Sequence, residues 1–180
     1  MTDNDLFALL LSTVEAGLVA WPLPGFTVEQ KQQPTQQGIP VDKTVYIEKL
    51  FDRAYGHAAV SYTTNIDPDK LNENEKQLYQ STFQFTAQVR QRPEDITIPT
   101  ASDVVSAVRA IVQRRSTLRL LAAENVSVLR VSEIHNPYIT GDQDRQEAMP
   151  TFDLVVNYVR DIPPVVVDKL VRVDTSIHQV

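Results

Sequence analysis

The sequence of 180 residues predicts an α+β fold: a mixed, mostly antiparallel sheet of about five to six strands, with an N-terminal helix and a central helical pair packed on it. Apolar residues fall at helical spacing near the N-terminus and again in the middle of the chain. Runs that alternate apolar and polar residues lie between and after those two regions, as half-buried strands require. Hairpins or simple returns join most of these runs, which groups the helices against the sheet rather than interleaving them with parallel strands. No internal repeat or long linker divides the chain. Residues 1–161 therefore read as one domain, and 162–180 as a C-terminal strand or an arm at an interface.

Each element has its own signal. Asp3 or Asn4 can cap a first helix whose apolar positions are Leu6, Leu9, Leu10, Val14 and Leu18. Trp21-Pro22-Leu23-Pro24-Gly25 stops it, because proline cannot continue the backbone ladder. Phe26 to Gln32 forms a short strand and leads into a polar connector, Gln33-Pro34-Thr35-Gln36-Gln37-Gly38-Ile39-Pro40. Residues 44–64 predict a hairpin that turns at Arg53-Ala54-Tyr55-Gly56. The polar tract Asn65 to Lys76 reads as a loop, and Tyr79 to Val89 as a long strand with one wet face. Thr100 caps the strongest helix with Asp103 at capping-box spacing, and Val104, Val105, Val108, Ile111 and Val112 make its buried stripe. A short helical segment around Leu118, Leu120 and Leu121 follows. Strands are then expected at Val126–Ile134 and Phe152–Val159. Asp161-Ile162-Pro163-Pro164 should break the chain before a last strand or arm from Val165.

Composition narrows the function classes. A 180-residue chain with 42% hydrophobic and 22% charged residues can bury about 70% of its unfolded surface and is not disordered. The absence of cysteine removes thiolate catalysis, thiolate zinc sites and disulfide frameworks. A net charge of -6 opposes wrapping of a nucleic-acid backbone. The apolar stretch Leu6–Val19 lacks the flanks of a signal peptide and is too short and interrupted to span a bilayer. The expectation is a soluble protein assembled in the cytoplasm of the cell that makes it, with no membrane partner.

No catalytic or cofactor-binding constellation emerges. The five glycines make no phosphate-cradling fingerprint. His57, His135 and His178 have no ligand or triad companion at a recognised spacing, and no serine sits in a nucleophile elbow. Asp142, Asp144, Arg145 and Glu147 are the densest charged cluster. Carboxylates at that spacing can hold a divalent cation, but the glycine of a calcium loop is missing, and an ion pair across a hairpin or a subunit boundary suits them better. Arg109, Arg114, Arg115 and Arg119 offer a basic stripe, explained chiefly by helix-end electrostatics and a solvated or interfacial face. Two features favour a protein partner: the aromatic and Gln-rich long strand, and the Val165–Val180 tail, which could add a strand to a neighbour.

The order of these motifs resembles a known family, the neck and tail-terminator proteins of tailed bacteriophages. The resemblance runs from about Leu6 to Tyr158. It rests on Gln33-Pro34-Thr35-Gln36-Gln37-Gly38, Val45-Tyr46-Ile47, Tyr55-Gly56, Gln84-Phe85, Thr100-Ala101-Ser102-Asp103, Asn136-Pro137-Tyr138, and Asp142 with Asp144-Arg145-Glu147 before Pro150-Thr151-Phe152-Asp153. It implies a virion structural protein of the head–tail junction, forming a homo-oligomeric, hexameric ring that ends the tail tube. Its implied partners are further copies of itself, a head-completion or connector protein, and the tail tube and sheath. DNA passes through the lumen without sequence-specific binding. The family carries no catalytic residue, metal or cofactor to transfer, so the contact candidates are the 33–38 connector and Asp142, Asp144, Arg145 and Glu147. A neck gateway or collar ring of similar fold is the alternative; a small ligand-binding or enzymatic domain is the other class.

Overall fold

The computed structural model describes residues 1–21, 23, 25–31, 43–89, 97–140 and 146–169. Among them the element order is α1 (Asp3–Ala20), β1 (Thr27–Gln30), β2 (Lys43–Thr64), β3 (Lys70–Val89), α2 (Ala101–Gln113), α3 (Arg115–Ala123), β4 (Val126–Val131), β5 (Tyr138–Thr140), β6 (Gln146–Ala148) and β7 (Thr151–Asp168). Five strands form one sheet in the order β1-β2-β3-β7-β4, and β5 and β6 form a separate two-stranded hairpin. The β1–β2 pair is parallel and the other pairs in the large sheet are antiparallel. This is the expected α+β architecture.

The core lies between one face of the sheet and a helical layer. Register places Val45 and Ile47 beside Ala87 and Phe85, which in turn lies opposite Phe152. Phe83 pairs with Leu154 in the next row of the same face. All of these are fully buried or nearly so, together with Leu6, Leu10, Val14 and Leu18 of α1 and the Val104, Val105, Val108, Ile111 and Val112 stripe of α2. Phe85 stacks on Phe152 at 5.0 Å between centroids, and Phe7 of α1 meets Phe83 edge-on at 5.3 Å. Both lie within the range in which aromatic pairs add to their burial.

The helix starts follow local chemistry. Thr100 and Asp103 exchange hydrogen bonds in the expected capping box. In α1 the cap is Thr2 rather than Asp3 or Asn4: its hydroxyl accepts from the Asp5 N–H, and the Asp5 carboxylate accepts from the Thr2 N–H at 2.7 Å. A threonine followed by an acid three residues on satisfies two backbone donors at once, which a lone Asp cap does not. These hydrogen bonds hold the Asp5 and Asp103 carboxyls below their ordinary range. Arg114 forms the junction between α2 and α3, and neither helix has a basic residue in its last turn. Arg114 thus takes the expected helix-end place as the C-cap of α2, whereas the expectation for Arg115 is corrected, since it opens α3. Arg109 is also structural, donating from Nε to the Ser132 carbonyl at 2.9 Å.

The strands depart from expectation in one connected way. Residues 53–56 do not turn; β2 runs straight on to Thr64, and the hairpin closes at Asn65–Asp69 instead. Asn65 Oδ1 accepts from the Asp67 N–H, and Asp67 Oδ1 from the Asp69 N–H; such side-chain-to-backbone bonds shape tight turns. The expected loop 65–76 is therefore mostly β3. Gly56, with φ of 64°, marks a bulge where β2 gains extra residues between Tyr55 and Ala59. A left-handed residue suits a bulge as well as a turn. Pro163-Pro164 does not end a strand either, since β7 continues to Asp168. The prolines sit where the β3–β7 register shifts, beyond the end of β4, on an edge where no N–H is required.

Gly17 lets α1 pack close against Ile111 of α2. A Cβ there would lie 2.3 Å from Ile111 Cγ2, and Ile111 is almost wholly buried. Gly17→Ala should therefore destabilise the protein by about 1–3 kcal/mol through overpacking, although alanine favours a helix by about 1 kcal/mol. Urea midpoints of the two proteins check the sign.

Candidate assembly interface

The helical layer covers only part of the long strands. Along β2, burial ends at Lys49 and every residue from Leu50 to Thr64 except Ala58 is exposed. The distal parts of β3 and β7 accompany it, paired from Lys70↔Asp168 down to Leu78↔Val159. The result is a three-stranded arm with β3 in the middle. From Leu78 to Lys70, at about 3.3 Å per residue, the arm reaches roughly 26 Å beyond the core.

The two faces of the arm differ. Register puts Val60, Tyr62 and Thr64 on one side with Leu71, Glu73, Glu75, Ile162, Val165 and Val167. Val60 is 49%, Tyr62 58% and Val165 59% exposed. The opposite side carries Ser61, Thr63, Asn72, Asn74 and Lys76, where Asn74 Nδ2 donates to Thr63 Oγ1 at 3.0 Å and to the Asn72 carbonyl. The apolar side continues the face that meets the helices in the core. Its Tyr62 hydroxyl pairs with Glu73 directly across the ladder, which raises the phenol's pKa.

At the arm's root the core ends in a polar network. Lys49 Nζ bonds Asp52 and, at 3.0 Å, Asp3 of α1. Ser81 donates to Asp52, and the Tyr158 hydroxyl donates to Asp3 at 3.3 Å. Tyr158 also stacks on Tyr79, with centroids 5.9 Å apart. The network joins the start of α1 to β2, β3 and β7 where the helical cover stops. Burial disfavours the Lys49 ammonium, but its bonds to Asp52 and Asp3 outweigh that, and the pKa is raised above its ordinary value. Burial pushes the Tyr158 phenol up. These groups hold a joint together.

The comparisons with known proteins fall on this architecture. Residues 5–166 match the family of the E217 gateway protein gp29, a span that includes the helical layer, the sheet and nearly the whole arm. This chain belongs to that gateway-protein family. The family is a structural one of the phage head–tail junction, so the chain is a virion structural component. No curated protein matches the chain. Among solved structures, the sheath/tube terminator of an extracellular contractile injection system (PVC), determined by cryo-EM in its extended state, has a similar fold. The TM-score is 0.50 at 12% identity, and the match covers 100% of this chain and 64% of that one. The chain thus spans less than two thirds of that terminator's length, and at such identity the likeness is one of fold.

The gateway-family fold places the sequence-predicted contacts unevenly. Gln33, Pro34, Thr35, Gln36, Gln37 and Gly38 lie outside the described residues, as do Asp142, Asp144 and Arg145. Glu147 is on β6, with its backbone opposite Ile139. The tail beyond Lys169 is likewise outside them. Sequence reasoning missed the arm itself. A signal was present: Asn65-x-Asp67-Pro68-Asp69 is a better turn than Tyr55-Gly56, because Asx side chains bond their own backbone.

Lys49→Met should cost about 2 kcal/mol, because it leaves the Asp3 and Asp52 carboxylates facing each other without a cation. A raised lysine pKa adds stability that is complete below the ordinary value of 10.5 and is lost as pH rises through the folded-state value. The stability gap between the two proteins in urea titrations should therefore be present at neutral pH and shrink in strong alkali.

Proposed function

We propose that the chain is one subunit of a closed ring, hexameric in its simplest form, set between the head connector and the tail tube. One side of the ring seats the head-completion or connector protein. The other seats the tube and, in a contractile particle, the sheath. DNA passes through the lumen. The gateway-family match supports the placement and favours the gateway ring over a terminator. The observation that carries the ring is the arm, which presents exposed valines, an isoleucine and tyrosines far from the chain's own core. Ring closure needs one patch of a subunit to meet a different patch on its neighbour, and a projecting arm can deliver such a patch. A net charge of -6 suits a lumen that lets DNA slide without gripping it.

Light scattering across a concentration series tests this. The expected species is about six times the 20.3 kDa chain mass, with a central hole in negative-stain images. A chain that stays monomeric at every concentration, and does not add to purified tail tubes, rejects the reading. Shortening the arm by joining Tyr55 to Leu78 through a two-residue turn should leave the core folded. It should also shift the assembly midpoint at least tenfold toward higher concentration.

A further inference from the structure

We infer that the apolar face of the arm seats on the outer face of α3 of the next copy of this chain. The inference rests on the ring reading above and specifies its interface. Outward from Gln77 the charges on the apolar face are Glu73 and Glu75, set among Val60, Tyr62, Leu71, Ile162 and Val165, while Arg160, opposite Gln77 at the root, lies over the Tyr79 ring. The occupant must therefore be apolar with a basic component.

The outer face of α3 has that chemistry. Arg115, Leu118 and Arg119 are exposed, while Thr117 and Leu121 point into the core. Spacings of three and four residues put Arg115, Leu118 and Arg119 side by side on one surface. Neither arginine has a carboxylate partner among the described residues, and Leu118 between them is 38% exposed. An isolated basic pair with an exposed leucine complements an acidic pair among exposed valines. The two patches belong to different elements, so matching them between copies permits the head-to-tail contact that a ring requires.

The chain contains no cysteine, so introduced thiols report without background. Val60→Cys and Leu118→Cys proteins, purified separately and mixed under mild oxidation, should form a disulfide between the two variants, while neither links to itself. Independently, Glu73→Arg with Glu75→Arg should weaken assembly at least tenfold, as should Arg115→Glu with Arg119→Glu. The four changes together should recover to within about threefold of the original, because close charge pairs couple by more than 1.4 kcal/mol, a factor of ten. Rings that form without the Val60–Leu118 link and without charge-swap recovery overturn this interface and leave the ring reading standing. Self-linking of Val60→Cys alone means arms pair with arms, which overturns it too. A protein that assembles at no concentration, and does not add to purified tail tubes, overturns both.

Discussion

The structure depends on β3 being paired on both sides for most of its length. β2 accompanies it from Val89 to Leu71 and β7 from Thr86 to Lys70. Near the helices that ladder is also a packing surface, where Phe83 and Phe85 bury completely. Farther out it is only a ladder. A net hydrogen bond is worth about 0.5–1.5 kcal/mol, whereas ordering one residue's backbone costs about 1–2 kcal/mol. Ladder bonds alone therefore do not hold up an uncovered ribbon, and small isolated sheets are marginal in water. The arm is kept in register by its anchor, since each of its strands continues without a break into the buried half of the sheet.

That anchor explains the charge placed at the boundary. Lys49, Asp52, Asp3, Ser81 and Tyr158 occupy the zone where the sheet passes from dry to wet. An aliphatic side chain there would extend the core toward the arm and enlarge an apolar patch that already ends in exposed valines. The polar network instead satisfies its own groups and ties α1 to three strands. Just beyond it, Lys76 and the N-terminal amine both approach Asp161. Partly exposed pairs of this kind add little stability.

Legibility followed burial. The α1 and α2 stripes, the Thr100 cap and the core stretches of β3 and β7 could be read because each has one dry and one wet face, which imprints a period on the residues. The arm has no dry face within the chain. Residues 53–64 and 70–77 therefore show no clean alternation, and Gly56 and the Asn-rich tract imitate a turn and a loop. Pro163-Pro164 misled for a related reason: proline excludes a central strand but not an edge. The charge on α3 was visible, and its meaning was not, because Arg115 and Arg119 gain a reading only beside Leu118 and an acidic face elsewhere in the fold.

The edges of the arm decide which of its surfaces can be used. A free edge offers unpaired N–H and C=O groups and invites uncontrolled strand addition, so natural sheets disrupt such edges. On the β7 side the disruption is Pro163-Pro164, which removes two donors at the register shift opposite Glu73 and Glu75. On the β2 side it is the bulge between Tyr55 and Ala59, where Gly56 takes a left-handed conformation and re-aims the strand. Both edges are thus made poor templates for a long added strand, whereas the face carrying Val60, Tyr62, Ile162 and Val165 is left without any such device. A protein that had to avoid all contact along the arm would blunt the face as well. One that must join its neighbours in a fixed number, without polymerising along open edges, needs blunted edges and an open face.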